Sequence, residues 1–239
     1  RQMPSHWGHT RHNIPSQGSP TGTQCLQAVG CAEAGQIFER VTGIDGRQDR
    51  FHVDEVTYVS VGDGATSEGE FWAAVNVASL LKLPVLFLVE DNGYAISCPA
   101  TYHTAGGDIS RLVESFPNLE VIRVDGTDLV QSYRAIREAA AYARARKGPA
   151  LVHAKVIRPY SHSHSDDERN YKTVEERELE AERDPIVKLT RLLLLDGLAT
   201  ETELEDIRRQ VDGEVSDAAD RALRAPRPSP ESAGLYVYS

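Results

Sequence analysis

The chain predicts an α/β fold of three layers, α/β/α, with a mostly parallel sheet and a helical C-terminal region. Three observations carry that expectation. Short runs of β-branched and aromatic residues alternate with longer segments of helical period, the pattern of a parallel sheet covered on both faces. The run 85–89 is continuously apolar, as a strand buried on both sides is. Asp63 and Asn92 stand 29 residues apart, about the length of one βαβ unit, so both reach the carboxyl ends of neighbouring strands.

Each element has its own signal. A helix rich in small residues is expected over 24–41, followed by a polar crossing. Residues 58–61 form the first strand. Gly62 and Gly64 flank Asp63, so the backbone there can turn tightly and approach a ligand with no Cβ in the way. Ser67 and Glu70 have the S-x-x-E spacing of a capping box and begin a helix that runs to about Lys82. Its free N–H groups and positive end face the turn, which favours a diphosphate there. Leu83-Pro84 stops that helix, and 85–89 is the next strand. A third strand is expected over 119–124, an amphipathic helix over 129–146 and a fourth strand over 150–157. The stretch 174–223 reads as helix broken near Pro185 and Gly197. Residues 225–230 (APRPSP) are a semi-rigid proline-rich spacer, and 235–238 looks like the start of another ordered segment. The domain reading is therefore 1–224 for the α/β domain and 225–239 for a linker.

With 239 residues the chain can bury a full core. Its formal net charge of −10 argues against nucleic acid and anionic membranes as partners. Three cysteines (Cys25, Cys31, Cys98) without C-x-x-C spacing suggest neither a disulfide framework nor a zinc site. With no apolar run of membrane-spanning length and no secretory leader pattern, a cytoplasmic location is expected. The first residue is Arg and the only methionine is Met3, so a preceding segment is expected as well.

Two hard oxygen ligands beside a glycine turn that opens a helix suit a Mg²⁺–diphosphate. Taken singly, a GDG turn or an Asn-Gly loop tip is an ordinary structural device. In this order and spacing they resemble the thiamine-diphosphate motif. Asp63, Asn92 and the Tyr94 carbonyl are assigned to the metal, with phosphate oxygens and a water completing an octahedron.

The resemblance then extends along most of the chain, through Met3–Gly8, Ser19-Pro20-Thr21-Gly22-Thr23-Gln24, Val124-Asp125-Gly126-Thr127-Asp128, Gly148–Leu151 and His162-Ser163-His164-Ser165-Asp166-Asp167. Over residues 1–190 the chain is similar to the α subunits of the thiamine-dependent decarboxylating components of 2-oxo acid dehydrogenase complexes. The resemblance implies oxidative decarboxylation of a 2-oxo acid and passage of the acyl group to a lipoyl group on a separate acyltransferase. It implies thiamine diphosphate and Mg²⁺ as cofactors. It also implies a β subunit, or a β-like domain in the same polypeptide, that supplies the glutamate activating thiamine, in an assembly of two α and two β units. The spacer 225–230 favours the fused form. By the same resemblance Ser19, Gly62, Gly64, Ala65, Ala95 and Ile96 contact the cofactor, Arg158 contacts the diphosphate or its loop, and His162 is the catalytic histidine at the reacting carbon. K⁺ is a further expectation at Pro20, Thr23 and Gln24.

The run Gly93-Tyr94-Ala95-Ile96-Ser97 is closer to branched-chain relatives than to the Gly-Tyr-Gly-Met of pyruvate enzymes, so 2-oxoisovalerate-type acids are the favoured substrates. Pyruvate or acetoin dehydrogenase components are the alternative, and a non-catalytic assembly domain is a remoter one. His162-Ser163-His164-Ser165-Asp166-Asp167 also resembles the H-x-H-x-D-H motif of dinuclear zinc hydrolases. Its last histidine is replaced by Asp167, and no histidine follows His164 to complete a metal set. His52, His103 and His153 read as structural; His6, His9 and His12 read as loop or interface residues. Two departures from the family stand out. Glu90 occupies a position where many relatives carry an arginine, which requires its side chain to point away from a diphosphate or to find a cation. Thr21 replaces a bulky apolar support of the cofactor, a role for which Ile96 is a candidate.

Overall fold

Among the described residues of the computed structural model six strands occur: β1 (Thr57–Gly62), β2 (Val85–Asp91), β3 (Tyr94–Ala95), β4 (Cys98–Pro99), β5 (Glu120–Asp125) and β6 (Ala150–Lys155). Four of them form a parallel sheet in the order β1-β2-β6-β5, and β3 and β4 make a separate antiparallel pair. The structure describes residues 6, 8–44 and 51–235. These fall into two units, one within Pro4–Pro185 and one within Ile186–Ser239.

The helices of the first unit are α1 (Thr23–Arg40), α2 (Gly69–Leu81), α3 (Ala100–His103), α4 (Ile109–Val113), α5 (Leu129–Arg144) and α6 (Val174–Glu182). Two hydrophobic clusters lie on opposite faces of the sheet and account for the three layers. Successive strand side chains point to opposite faces. Val59, Val61, Val85, Phe87, Val89 and Leu151 therefore pack on one side with α1, α2 and α4. Leu86, Leu88, Ile122 and Val152 pack on the other with α5. The continuous apolar run in β2 is needed because both its faces are covered. Phe71 of α2 and Phe87 of β2, both fully buried, meet edge to face with centroids 6.3 Å apart. Truncating either would cost about 3–5 kcal/mol.

α1 buries Cys25, Ala28, Val29, Ala32 and Gly35 on one face, small residues that let it lie close to the sheet. α5 buries Ala135, Ala139 and Ala143 at intervals of four, as its amphipathic pattern predicts. Its N-terminus is capped by Asp128, whose carboxylate accepts from Gln131 N at 2.9 Å. The predicted strands and helices are all present within the described residues, their ends moved by one or two positions.

One local expectation fails. The Ser67/Glu70 capping box does not form. A 3₁₀ turn, Asp63–Ser67, follows β1; α2 then starts at Gly69 with Glu68 at its N-cap and no side-chain cap bond. Ser67 Oγ instead donates to the carbonyl of His103, 36 residues away, at 2.8 Å. A tertiary acceptor has won over the local one.

In the second unit, α7 (Pro185–Leu195) and α8 (Glu201–Arg224) carry the helical C-terminal pattern. α8 opens on a complete capping box between Thr200 and Glu203. It ends at Arg224, where the proline-rich stretch begins, and a 3₁₀ turn covers Pro230–Gly234. Of the expected strand at 235–238, residues 236–238 lie outside the described residues, as does most of Met3–Gly8. Among the described residues, no helix is long and apolar enough to cross a membrane.

Candidate cofactor and metal site

The parallel pairing of β1 and β2 sets Gly62 opposite Glu90, so the chain leaves both strands side by side. Asp63 and Asn92 follow at that shared edge, where open α/β sheets bind ligands. The Asn92 backbone N–H donates to Asp63 Oδ1 at 3.3 Å. Asp63 Oδ2, on a side chain 4% exposed, has no hydrogen-bond partner. Burial, and then the neighbouring Asp91, push the Asp63 carboxyl above the usual carboxylate range. A buried carboxylate with one open oxygen and a second carboxylate nearby is a place for a cation.

The Asn92 turn is built by its own side chains. Asp91 Oδ1 accepts from Gly93 N at 2.9 Å, and Asn92 Oδ1 accepts from Tyr94 N at 3.1 Å. Gly93 supplies the left-handed conformation that the turn requires, with φ +84°. The Asn92 oxygen keeps a second lone pair for a metal. Gly64 is also required by its neighbour across the turn. A Cβ there would lie 2.6 Å from Ala95 Cβ, so glycine permits the close approach of the turn after β1 to the β3 ribbon. These contacts test the fit of a Mg²⁺–diphosphate: the open Asp63 oxygen, the Asn92 amide and the tight glycine turn are compatible with one.

A buried polar network anchors this edge from below. Asp91 Oδ2 accepts from His153 Nε2 at 2.6 Å and is paired with Lys155 Nζ, across the β2–β6 register. His153 Nδ1 lies 3.4 Å from Asp108 Oδ1, and Asp108 accepts from Ser110 Oγ at 2.5 Å. Burial pushes the Asp91 carboxyl up, but the hydrogen bonds from His153 and Lys155 prevail and hold it down at about 2. His153 is structural, as its sequence context suggests. Glu90, one residue earlier, lines a crevice on the α5 face with Gly126 and Ser132. It faces away from the Asp91 side of the sheet, the first of the two outcomes its sequence position requires.

The other predicted residues join through Tyr94 and Arg158. Arg158 Nη1 donates to the Ile96 carbonyl at 2.7 Å and Nη2 to Tyr171 Oη at 2.6 Å, while its Nε is buried without a partner. The guanidinium lies over the rings of Tyr94 and Tyr171, 5.8 and 5.7 Å from their centroids. Arg158 thus clasps the turn after Asn92. Ile96 is in the left-handed region at φ +58°, a strain of about 1–3 kcal/mol for a β-branched residue. Its exposed side chain is free to support a ligand. Ala65 is buried in the core beside the turn.

His162 lies on an exposed loop, and its position is set through the backbone: its N–H donates to Asp166 Oδ2 at 2.9 Å. The same oxygen accepts from Tyr171 Oη at 2.6 Å. The Tyr171 hydroxyl therefore ties the histidine loop to Arg158. That hydrogen bond is the main influence lowering the Asp166 carboxyl, and burial followed by Asp166 raises Tyr171 to about 12. Tyr94 Oη donates to Glu176 Oε1 at 2.7 Å, and the buried Lys172 pairs with Glu180 and Glu168 beneath the Tyr94 ring. The loop borders an open cavity of about 420 Å³ lined by Pro159, Ser161, Glu168 and Arg177. Ser19 Oγ bonds His6 Nε2. In the loop expected for K⁺, Thr23 Oγ donates to the Pro20 carbonyl at 2.7 Å.

Sequence reasoning missed Tyr171, Asp166, Glu176 and Lys172 as parts of the site. Asp166 lies four residues from His162 in a polar run. Glu176, 82 residues from Tyr94, carries no local signal.

A parallel sheet covered on both faces, with Asp63 and Asn92 side by side at adjacent strand ends, defines an α/β domain with its candidate ligand site at the carboxyl edge of the sheet. The family model for the dehydrogenase E1 component matches residues 1–231. The chain is 33% identical to the 2-oxoisovalerate dehydrogenase subunit alpha of Bacillus subtilis over its whole length, covering 68% of that protein. It is 35% identical to the mitochondrial 2-oxoisovalerate dehydrogenase subunit alpha of Homo sapiens, again over its whole length, covering 51% of it. Over 187 residues, 78% of the chain, it is 37% identical to the human somatic pyruvate dehydrogenase E1 component subunit alpha, covering 47% of that protein. The chain belongs to the dehydrogenase E1 component family, on the side of its α subunits.

Proposed function

We propose that the protein containing this chain catalyses oxidative decarboxylation of a 2-oxo acid and transfers the acyl group to a lipoyl group of a separate acyltransferase, using thiamine diphosphate and Mg²⁺. The observation that carries the reading is the buried Asp63 Oδ2, which makes no hydrogen bond, beside the Asn92 turn. Asp63, Asn92 and the Tyr94 carbonyl hold the metal. Gly62, Gly64 and Ala65 keep the wall of the site thin, and Ile96 supports the cofactor. Thiamine diphosphate, when bound, would supply a nucleophilic carbon and an electron sink for the decarboxylation. Arg158 holds the Tyr94–Ile96 turn in place, and Ser19 contributes from the α1 side. His162 presents a ring nitrogen from its pinned loop and moves a proton at the substituents of the reacting carbon. A β subunit or β-like domain supplies the activating glutamate across a shared cleft.

Asp63→Ala in the complete enzyme should abolish thiamine-diphosphate binding by calorimetry. Unchanged affinity would refute the assignment. For substrate, 2-oxoisovalerate-type acids are favoured by the full-length match to branched-chain relatives and by Gly93–Ser97. The 37% identity to a pyruvate dehydrogenase subunit supports pyruvate as the second reading. Relative turnover of 2-oxoisovalerate, pyruvate and acetoin decides between them, and a clear preference for either of the last two would overturn the first.

A further inference from the structure

Two buried polar atoms at the end of the sheet face each other without a hydrogen bond. Asp63 Oδ2 and His103 Nε2 lie 3.3 Å apart on side chains 4% and 11% exposed, yet neither has a hydrogen-bond partner. Burying both in that state costs each its hydration. The other ring nitrogen of His103 is engaged: Nδ1 lies 3.0 Å from Thr104 Oγ1, with Ser67 Oγ at 3.5 Å. Ser67 also holds the His103 carbonyl, and Thr104 is itself buried. The ring is thus fixed from behind. An imidazole oriented through Nδ1, with Nε2 turned towards a carboxylate oxygen, has the supporting shell of a metal ligand.

The separation of the two atoms accommodates this role, which a hydrogen-bonded pair would not. A charge-assisted hydrogen bond would bring them to about 2.8 Å and align them. Adjacent ligand atoms on an octahedral ion, each bound at about 2.1 Å, stand about 3.0 Å apart with their lone pairs aimed at the ion instead of at each other. The observed 3.3 Å, with no hydrogen bond formed, leaves room for the second geometry.

We infer that His103 Nε2 is a further protein ligand to the divalent cation, beside Asp63 Oδ2, in the position otherwise taken by a water. The inference rests on the proposed Asp63–Asn92 metal site. It alters the chemistry of that site. Three oxygen donors from the protein suit Mg²⁺, whereas an imidazole nitrogen raises affinity for later divalent metals such as Co²⁺.

The test uses the full-length enzyme, assembled with its partner domain and loaded with Mn²⁺ and thiamine diphosphate. Pulsed EPR detects a nitrogen bound directly to Mn²⁺, and labelling with ¹⁵N-histidine identifies it as imidazole. The expected result is a histidine coupling in the wild type that persists in His162→Asn and vanishes in His103→Gln. Affinity for Co²⁺ relative to Mg²⁺ should fall about tenfold or more in the same variant. Mn²⁺ bound with the cofactor but without histidine coupling would overturn the inference and leave the metal site standing. A wild type that binds no Mn²⁺ in the presence of thiamine diphosphate would overturn both. If His103→Gln does not assemble, His103→Asn replaces it, and a coupling that survives either substitution also overturns the inference.

Discussion

Replacing Asp91 by Asn keeps the size of the side chain but removes the charge that His153 and Lys155 share. The Asp91 carboxyl is held at about 2, against an ordinary 3.8. At about 1.4 kcal/mol per unit, the difference corresponds to ~2 kcal/mol of stability. Asp91 itself is 3% exposed, so solvent screens this little. A carboxyl depressed on folding contributes fully above its unfolded value, and the contribution is lost as pH falls through the folded value. The contribution of Asp91 should therefore be complete at pH 6, about half gone at pH 3 and absent below about pH 2. Urea titrations of wild type and Asp91→Asn at pH 6, 5, 4 and 3 read this directly. The stability difference between the two should shrink by about 1 kcal/mol between pH 6 and pH 3. A difference independent of pH would show that the buried pairing does not hold Asp91 ionised.

Three further outcomes test the site. Gly64→Ala places a Cβ 2.6 Å from Ala95 Cβ and should cost about 1–3 kcal/mol in thermal unfolding and weaken metal binding; adding Ala95→Gly should recover part of both losses. His162→Ala should keep stability and cofactor affinity while the acyl-transfer rate falls by roughly a hundredfold or more, because the side chain lies on an exposed loop; a variant that unfolds would make the residue structural. Tyr171→Phe removes the hydroxyl shared by Arg158 and Asp166, so amide exchange at His162 should accelerate while exchange in β2 stays as it was; equal acceleration in both would mean that Tyr171 serves the core and not the loop.

Much of this architecture is written locally. β2 is legible because both its faces are covered, which leaves no room for polar alternation, and Asp63 and Asn92 are legible because a parallel crossover fixes their separation. Chain order, the parallel sheet, the helical C-terminal region and the glycine turn all follow from patterns that span a few residues or one βαβ unit. What only the tertiary structure decided are contacts made across long separations. Ser67 could cap α2 or bond His103, and folding chose the distant carbonyl. Arg158 engages the Ile96 carbonyl 62 residues away and the Tyr171 hydroxyl 13 residues away. Glu176 carries no local signal, and its carboxylate receives the Tyr94 hydroxyl from 82 residues away. Asp91, His153 and Asp108 lie on three separate segments and become one network only when β2 and β6 pair in register. Spacing along a chain encodes periodicity and turn chemistry, whereas the partner of a polar side chain depends on which surfaces close over it, and that is fixed only when the layers pack.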